Sequence, residues 1–294
     1  MSCLSLQQLL DGAFAISDGA WGTEFQKRGL PPSSRAELWN VERPEVVLEV
    51  ASSYVQAGSE VLLTNTFGAN RLALERHGLA ARAAELSEAG ARLSRRPAAD
   101  RALVFGSIGP SGRLVMMGNV TASELYEAFR EQAAALERGG VDGIVVETMS
   151  ALDELIAAVR AVKENTSLPV VACMTYDSGK DGTRTMMGVA PAQAVAALEP
   201  LGVEIHGANC GVGIERYVEV CRQLRQATAR PLWIKPNAGM PELAGDRTVY
   251  RQSPGAFAAF LGPLRDAGAT IVGGCCGTNP DFIRALVERR GCCS

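Results

Sequence analysis

Thr270-Ile271-Val272-Gly273-Gly274-Cys275-Cys276-Gly277-Thr278 reads as a short β-branched strand that runs into glycines and two adjacent thiols. Glycine lets the chain turn tightly enough for both sulfurs to face one point, which suits metal capture better than packing. Gly207-Ala208-Asn209-Cys210-Gly211-Val212-Gly213 has the same build, an apolar run that delivers a thiol among glycines. The two stretches are far apart in the chain, so Cys210 can meet Cys275 and Cys276 only in a fold that gathers the ends of distant strands.

Working outward, six other runs share this pattern of apolar or β-branched residues ending in Gly, Asn, Thr or Asp: Phe14–Asp18, Val61–Thr66, Leu103–Ile108, Gly143–Thr148, Val170–Thr175 and Leu232–Asn237. With Glu204–Cys210 and Thr270–Cys275 they make eight strands. Ala-, Leu-, Glu- and Arg-rich segments of helical period separate them, among them Ser123–Arg138, Ala151–Lys163 and Ile214–Ala227. Strand and helix alternating eight times at a spacing of roughly 30 to 45 residues predicts an α/β protein of the (β/α)8 TIM barrel type. An open doubly wound sheet is the competing architecture, but no dinucleotide fingerprint follows the first strand. No Pro-, Ser- or Gly-rich linker breaks the series, so residues 1–294 are expected to form a single domain. The insertion Lys27–Asn40, with Pro31-Pro32, is expected to be a loop over the barrel mouth.

Composition narrows the function. A net charge of −3 with 21% charged residues offers no basic surface for nucleic acid or anionic membrane, which leaves small-molecule chemistry. No apolar run is long enough to span a membrane, and Met1–Leu10 has neither the basic region nor the apolar core of a signal peptide; a cytoplasmic location is expected. Eight cysteines spread over such a chain are expected to be free or metal-bound, with no structural disulfide.

Active sites of these barrels lie where strands end. The eight ends carry Asp18, Asn65 with Thr66, Gly109, Glu147 with Thr148, Thr175, Cys210, Asn237, and Cys275 with Cys276. Three sulfurs without an obvious fourth protein ligand describe a Zn2+ site with one open position. Three thiolates leave that ion a formal charge of −1, a poor acid for polarising carbonyls but a good holder of another thiolate. A free thiol of pKa about 8.5 is mostly protonated at neutral pH, whereas a coordinated one is deprotonated. Attack of such a sulfur on an electrophilic carbon, with SN2 alkyl transfer the simplest case, is the expected chemistry. A zinc store or thiol sensor could use the same three cysteines, but it would not need Asp18 and Glu147 at the same mouth.

Asp18-Gly19-Ala20-Trp21-Gly22-Thr23, Thr64-Asn65-Thr66-Phe67-Gly68-Ala69-Asn70, Glu147-Thr148-Met149, Asn209-Cys210-Gly211 and Gly273–Thr278, taken in this order, resemble the homocysteine S-methyltransferase family over nearly the whole chain. Within it they look most like the homocysteine-binding module of cobalamin-dependent methionine synthase, here as a stand-alone barrel. The resemblance implies a zinc-dependent enzyme that methylates homocysteine to methionine. It makes Cys210, Cys275 and Cys276 the zinc ligands and gives Asn237 the fourth position before substrate arrives. It also implies that Asp18 and Glu147 hold the substrate ammonium, that the backbone of Gly19 to Thr23 receives its carboxylate, and that Asn65 joins the substrate-binding set.

The methyl donor divides the family. Betaine users carry an aromatic cage for the quaternary ammonium, whereas Glu147 is followed here by Thr148-Met149 and aromatics make up only 5% of the chain, which disfavours betaine. S-methylmethionine users remain the main alternative. Glu147–Leu155 and Thr183–Gly188 look more like the cobalamin-dependent type. Yet His77 and His206 are the only histidines, and neither lies in the Asp-x-His-x-x-Gly arrangement of corrinoid-binding domains. The resemblance therefore implies a methyl-corrinoid carried by a separate partner protein. Another acceptor thiol would use the same zinc.

The remaining candidates have plainer readings. Cys173 and Cys221 are expected in the core, and Cys3, Cys292 and Cys293 in oxidisable tails. His206 is expected to be buried with its ring satisfied. Gly211-Val212-Gly213 reads as a tight turn that exposes Cys210. Trp21, Trp39 and Met149 either line the pocket or pack the mouth.

Overall fold

A computed structural model describes residues 4–31, 34–244 and 247–291. Eight parallel strands run in one sheet: β1 (Ala15–Ile16), β2 (Val61–Leu63), β3 (Leu103–Ile108), β4 (Gly143–Met149), β5 (Val170–Met174), β6 (Ile205–Gly213), β7 (Leu232–Asn237) and β8 (Ile271–Val272). From β2 to β8 each strand pairs with its sequence neighbours, and β8 pairs with β1, matching Ala15 to Ile271 and Ile16 to Val272. The ring closes through a parallel bridge from Ser17 to Val61 and a hydrogen bond from Asp18 N to Val61 O. This is a (β/α)8 barrel, as the alternation of elements requires. The expected bounds hold at β3 and β7 and differ elsewhere at the ends: β1 and β8 shrink to two residues, and β6 extends to Gly213.

Alternation along each strand sorts side chains between two cores. Phe105, Val145, Val171, Cys173, Ile205, Trp233 and Ile271 point inward and fill the barrel, while Val104, Ile144, Val146, Ala172 and Ile234 point outward under the helices. Two residues further along the same inward parity come Ser107, Glu147 and Lys235, so the apolar filling is overlaid by a polar layer at the C-terminal ends. The lower end is stoppered by a helix with no counterpart in the sequence expectations, Leu6–Leu10, which starts at a Ser5–Gln8 capping box and places the fully buried Leu9 in the inner core.

Two close approaches hold the upper rim. A Cβ on Gly273 would lie 2.0 Å from Ser17 Oγ and 2.7 Å from Asp18 O, so only glycine lets β8 pass that close to β1. The expected loop 27–40 is instead pinned structure. It contains a 3-10 turn (Ala36–Leu38) and the start of a short helix (Trp39–Glu42), and Glu37, Trp39 and Asn40 are buried. Glu37 Oε1 accepts from Gly68 N at 2.6 Å, and Asn40 Nδ2 donates to Asn65 O at 2.8 Å. Pro32 lies outside the described residues, as do Cys3, Cys292 and Cys293.

Among the described residues no helix is long and apolar enough to cross a membrane. Leu9→Ala should leave a cavity in the barrel floor and cost about 2–5 kcal/mol of stability, read as a lowered midpoint in urea; an unchanged midpoint would mean that the helix does not stopper the barrel.

Candidate functional site

The thiol cluster is set by two turns. Cys210 sits within the end of β6 at φ 64°, a left-handed conformation that a side chain adopts at a cost. There the pairing with β7 shifts register between Cys210 and Gly213. Cys275 and Cys276 follow β8 in a turn closed by Thr278 N donating to Cys275 O at 3.1 Å. Hydrogen bonds from Cys275 N to Pro236 O and from Ala238 N to Cys276 O tie that turn to β7. The ligand atoms of Cys210, Cys275 and Cys276 all lie within 4.8 Å of one another, and all three residues are half-buried.

Asn237 completes the cluster. Its Nδ2 donates to Gly211 O at 2.6 Å, while its Oδ1 is buried and has no hydrogen-bond partner. A buried carbonyl oxygen without a partner is costly, and a cation held by the sulfurs would satisfy it. Three soft sulfurs and one amide oxygen fit a tetrahedral zinc site. Hydrogen bonds from Cys275 and Cys276 lower the pKa of the Cys210 thiol, and their contacts with Cys210 raise those of Cys275 and Cys276. A divalent cation would take the place of protons on these sulfurs. Tyr250, half-buried with its ring against Gly277, adds a hydroxyl bonded to Cys276.

Glu147 faces the same mouth from β4 and is 6% exposed. Ser107 Oγ donates to its Oε1 at 2.5 Å and Asn209 Nδ2 to its Oε2 at 3.2 Å, so each oxygen keeps capacity for a ligand. Burial raises its pKa, against the pull of Lys235 and Ser107. Asp18 is differently placed. Lys235 Nζ pairs with Oδ1, while Trp21 Nε1 and Leu63 N each donate to Oδ2 at 2.8 Å, and the residue is fully buried. Its oxygens are engaged by the protein itself.

Lys235 was missed by sequence reasoning, although a lysine inside Leu232-Trp233-Ile234-Lys235-Pro236-Asn237 is a signal, because buried strands admit a charge only when it is paired. Burial pulls its pKa down, but Asp18 and Glu147 outweigh that and hold it raised.

The loop from Asp18 to Thr23 is fastened to the metal turn. Thr278 Oγ1 accepts from Ala20 N at 3.1 Å and donates to Cys275 O at 2.7 Å, and Tyr54 OH donates to Ala20 O at 2.6 Å. A Cβ on Gly19 would strike Thr278 Oγ1 and Tyr54 OH at 2.8 and 2.9 Å. Thr23 Oγ1 is buried without a partner. Asn65 is turned away from the thiols: its Nδ2 donates to Ala36 O at 2.7 Å and Asn40 Oδ1 at 2.9 Å.

The five described cysteines are free thiols, and Cys173 and Cys221 are buried in strand and helix. His206 is buried, but the expectation of a satisfied ring needs correcting: Nε2 makes no hydrogen bond and lies 3.4 Å from Glu199 Oε1 outside bonding geometry. Burial lowers its pKa to about 4, so the ring is neutral. Trp39 and Met149 belong to the outer core, whereas Trp21 is half-buried and holds Asp18.

Comparison with known proteins agrees with this frame. The chain is 34% identical over 302 residues to the methionine synthase of Mycobacterium tuberculosis, and 34% over 300 residues to that of Mycobacterium leprae. The matches cover 96% and 95% of this chain but 25% and 24% of those proteins, so it spans about a quarter of their length. The metallated form of the homocysteine methyltransferase MmuM from Escherichia coli superposes with a TM-score of 0.79 at 26% identity, over 97% of this chain and 99% of that one. The carboxyl transferase domain of Rhizobium etli pyruvate carboxylase, with a TM-score of 0.54 at 14% identity, shares the fold alone. The family model for homocysteine S-methyltransferase matches residues 15–290, and with the barrel, its ordered motifs and the gathered thiols this chain belongs to that family.

Proposed function

We propose that residues 1–294 form one zinc barrel that methylates homocysteine to methionine. The observation that carries this reading is the gathering of Cys210, Cys275 and Cys276 within 4.8 Å beside the unpartnered Asn237 Oδ1, at the mouth that also holds Glu147. When bound, Zn2+ supplies the Lewis acidity that keeps the acceptor's sulfur a thiolate at neutral pH.

The rest is work for the chain's own residues. Cys210, Cys275 and Cys276 would hold the ion, with Asn237 Oδ1 as the fourth donor that the substrate sulfur would replace. Glu147 receives the ammonium through the free capacity of its two oxygens. Asp18 serves that contact through Lys235, whose charge offsets the buried carboxylates. Main-chain N–H groups of Gly19 to Thr23, apart from that of Ala20, which Thr278 Oγ1 already holds, and the Thr23 hydroxyl receive the carboxylate. An amino-acid zwitterion needs both ends paired, since a charge left alone in a pocket is costly.

For the donor we favour a methyl-corrinoid on a partner protein. Among the described residues the exposed large apolar side chains, Val41, Phe67, Met116, Met117, Met186 and Met240, all lie on segments that follow strand ends on the mouth side, a surface suited to another protein. S-methylmethionine is the second reading, since a small methyl sulfonium would reach the mouth without a carrier protein.

Cys210→Ala should lose zinc while keeping the helical signal in circular dichroism; full zinc content in that variant would sink the ligand assignment. Glu147→Gln should weaken homocysteine binding by about tenfold or more with zinc retained, and unchanged calorimetric affinity would refute its role. With zinc-loaded protein and homocysteine, methionine should form from methylcobalamin; formation from S-methylmethionine alone would replace the corrinoid reading, and none from methylcobalamin, S-methylmethionine or betaine would point to another acceptor.

A further inference from the structure

Asn209 is fully buried and directly precedes Cys210, yet every bond of its side chain goes to another strand. Nδ2 donates to Thr148 Oγ1 at 2.7 Å and to Glu147 Oε2 at 3.2 Å, and Oδ1 accepts from Thr148 N at 2.7 Å. These partners end β4, which is separated from β6 by β5. The amide therefore reaches across the end of β5, whose Met174 pairs with Met149 on one side and Ala208 on the other.

Two irregularities flank this bridge. The register of β4 against β5 shifts between Val146 and Met149, and that of β6 against β7 between Cys210 and Gly213. Thr148 and Cys210 stand in left-handed conformations, φ 63° and 64°. Strain of this kind persists where the surroundings enforce it. Here the Asn209 amide caps the Thr148 N–H at the bulge, and Tyr217 OH fixes the Asn209 main-chain O at 2.8 Å.

We propose that Asn209 is a positioning residue that sets the distance between Glu147 and the three sulfurs, and so selects among amino-acid thiols by the number of carbons between ammonium and sulfur. This rests on the function proposed above. An acceptor bound at both ends must match that span, and a misplacement on the order of 1 Å can cost about a hundredfold where chemistry depends on positioning. The primary amide suits the task because its two donors and one acceptor are all used, which leaves it a single orientation.

The test is calorimetry on zinc-loaded protein with homocysteine, cysteine and 4-mercaptobutanoate, the last being the homocysteine skeleton without its amino group, alongside metal analysis. Asn209→Ser should keep its zinc and its affinity for 4-mercaptobutanoate, lose about tenfold or more for homocysteine, and show a narrowed preference for homocysteine over cysteine. Unchanged homocysteine affinity, equal losses for homocysteine and 4-mercaptobutanoate, or lost zinc would overturn the proposal. If Asn209→Ser does not fold, Asn209→Asp keeps the size and sets an oxygen against Glu147; it should give the same pattern, and a preference like that of the parent would overturn the idea. A parent protein that binds zinc but no homocysteine would remove the proposed function and this inference with it, whereas normal binding by the parent and undiminished preference in both variants would remove the inference alone.

Discussion

A ring of parallel strands stands only if every strand finds two hydrogen-bonded neighbours, and the weakest link here is β1. Its two residues pair with β8 on one side and reach β2 through Ser17 and Asp18 on the other. Gly273 allows that approach, and the same closure sets Cys275 and Cys276 beside Cys210 and puts the loop after β1 against the metal turn through Thr278. The thiol cluster is therefore a product of barrel closure, with no local motif able to assemble it.

Electrostatics shape what the closed mouth can do. Glu147, Asp18 and three sulfurs share a space with one buried cation, Lys235. Removing one member of a buried charge pair leaves the other uncompensated, at about 3–5 kcal/mol. Asp18 and Lys235 thus form a unit, and Glu147, with one protein donor per oxygen, is the carboxylate left with capacity for a ligand. Asn237 Oδ1 and Thr23 Oγ1 are among the buried polar atoms that the protein leaves without a hydrogen bond.

Much of this was legible in the residues. Thiols among glycines at strand ends, eight apolar runs and the helical segments between them are local patterns, each governed by side-chain period and backbone freedom, and they led to the barrel and to the three cysteines. What was not legible depends on direction. Asn65 ends a strand, as a substrate contact would, but turns outward to Asn40 and Ala36. Asp18 ends a strand too, but its oxygens go to Lys235 and Leu63 on other strands and to Trp21 in the loop that follows it. His206 could be read as buried, but not as lacking a hydrogen bond, because that depends on where Glu199 lies around it.

Sequence alone determined the architecture and the chemistry of the donors, because strand period, helix period and the softness of sulfur are properties of residues in order. Tertiary structure decided which carboxylate stays open to a ligand, which amide clamps β6 to β4 and which oxygen has no partner. Each of these is a matter of angle and distance between strands, and closure of the barrel sets them only once all eight strands are in place.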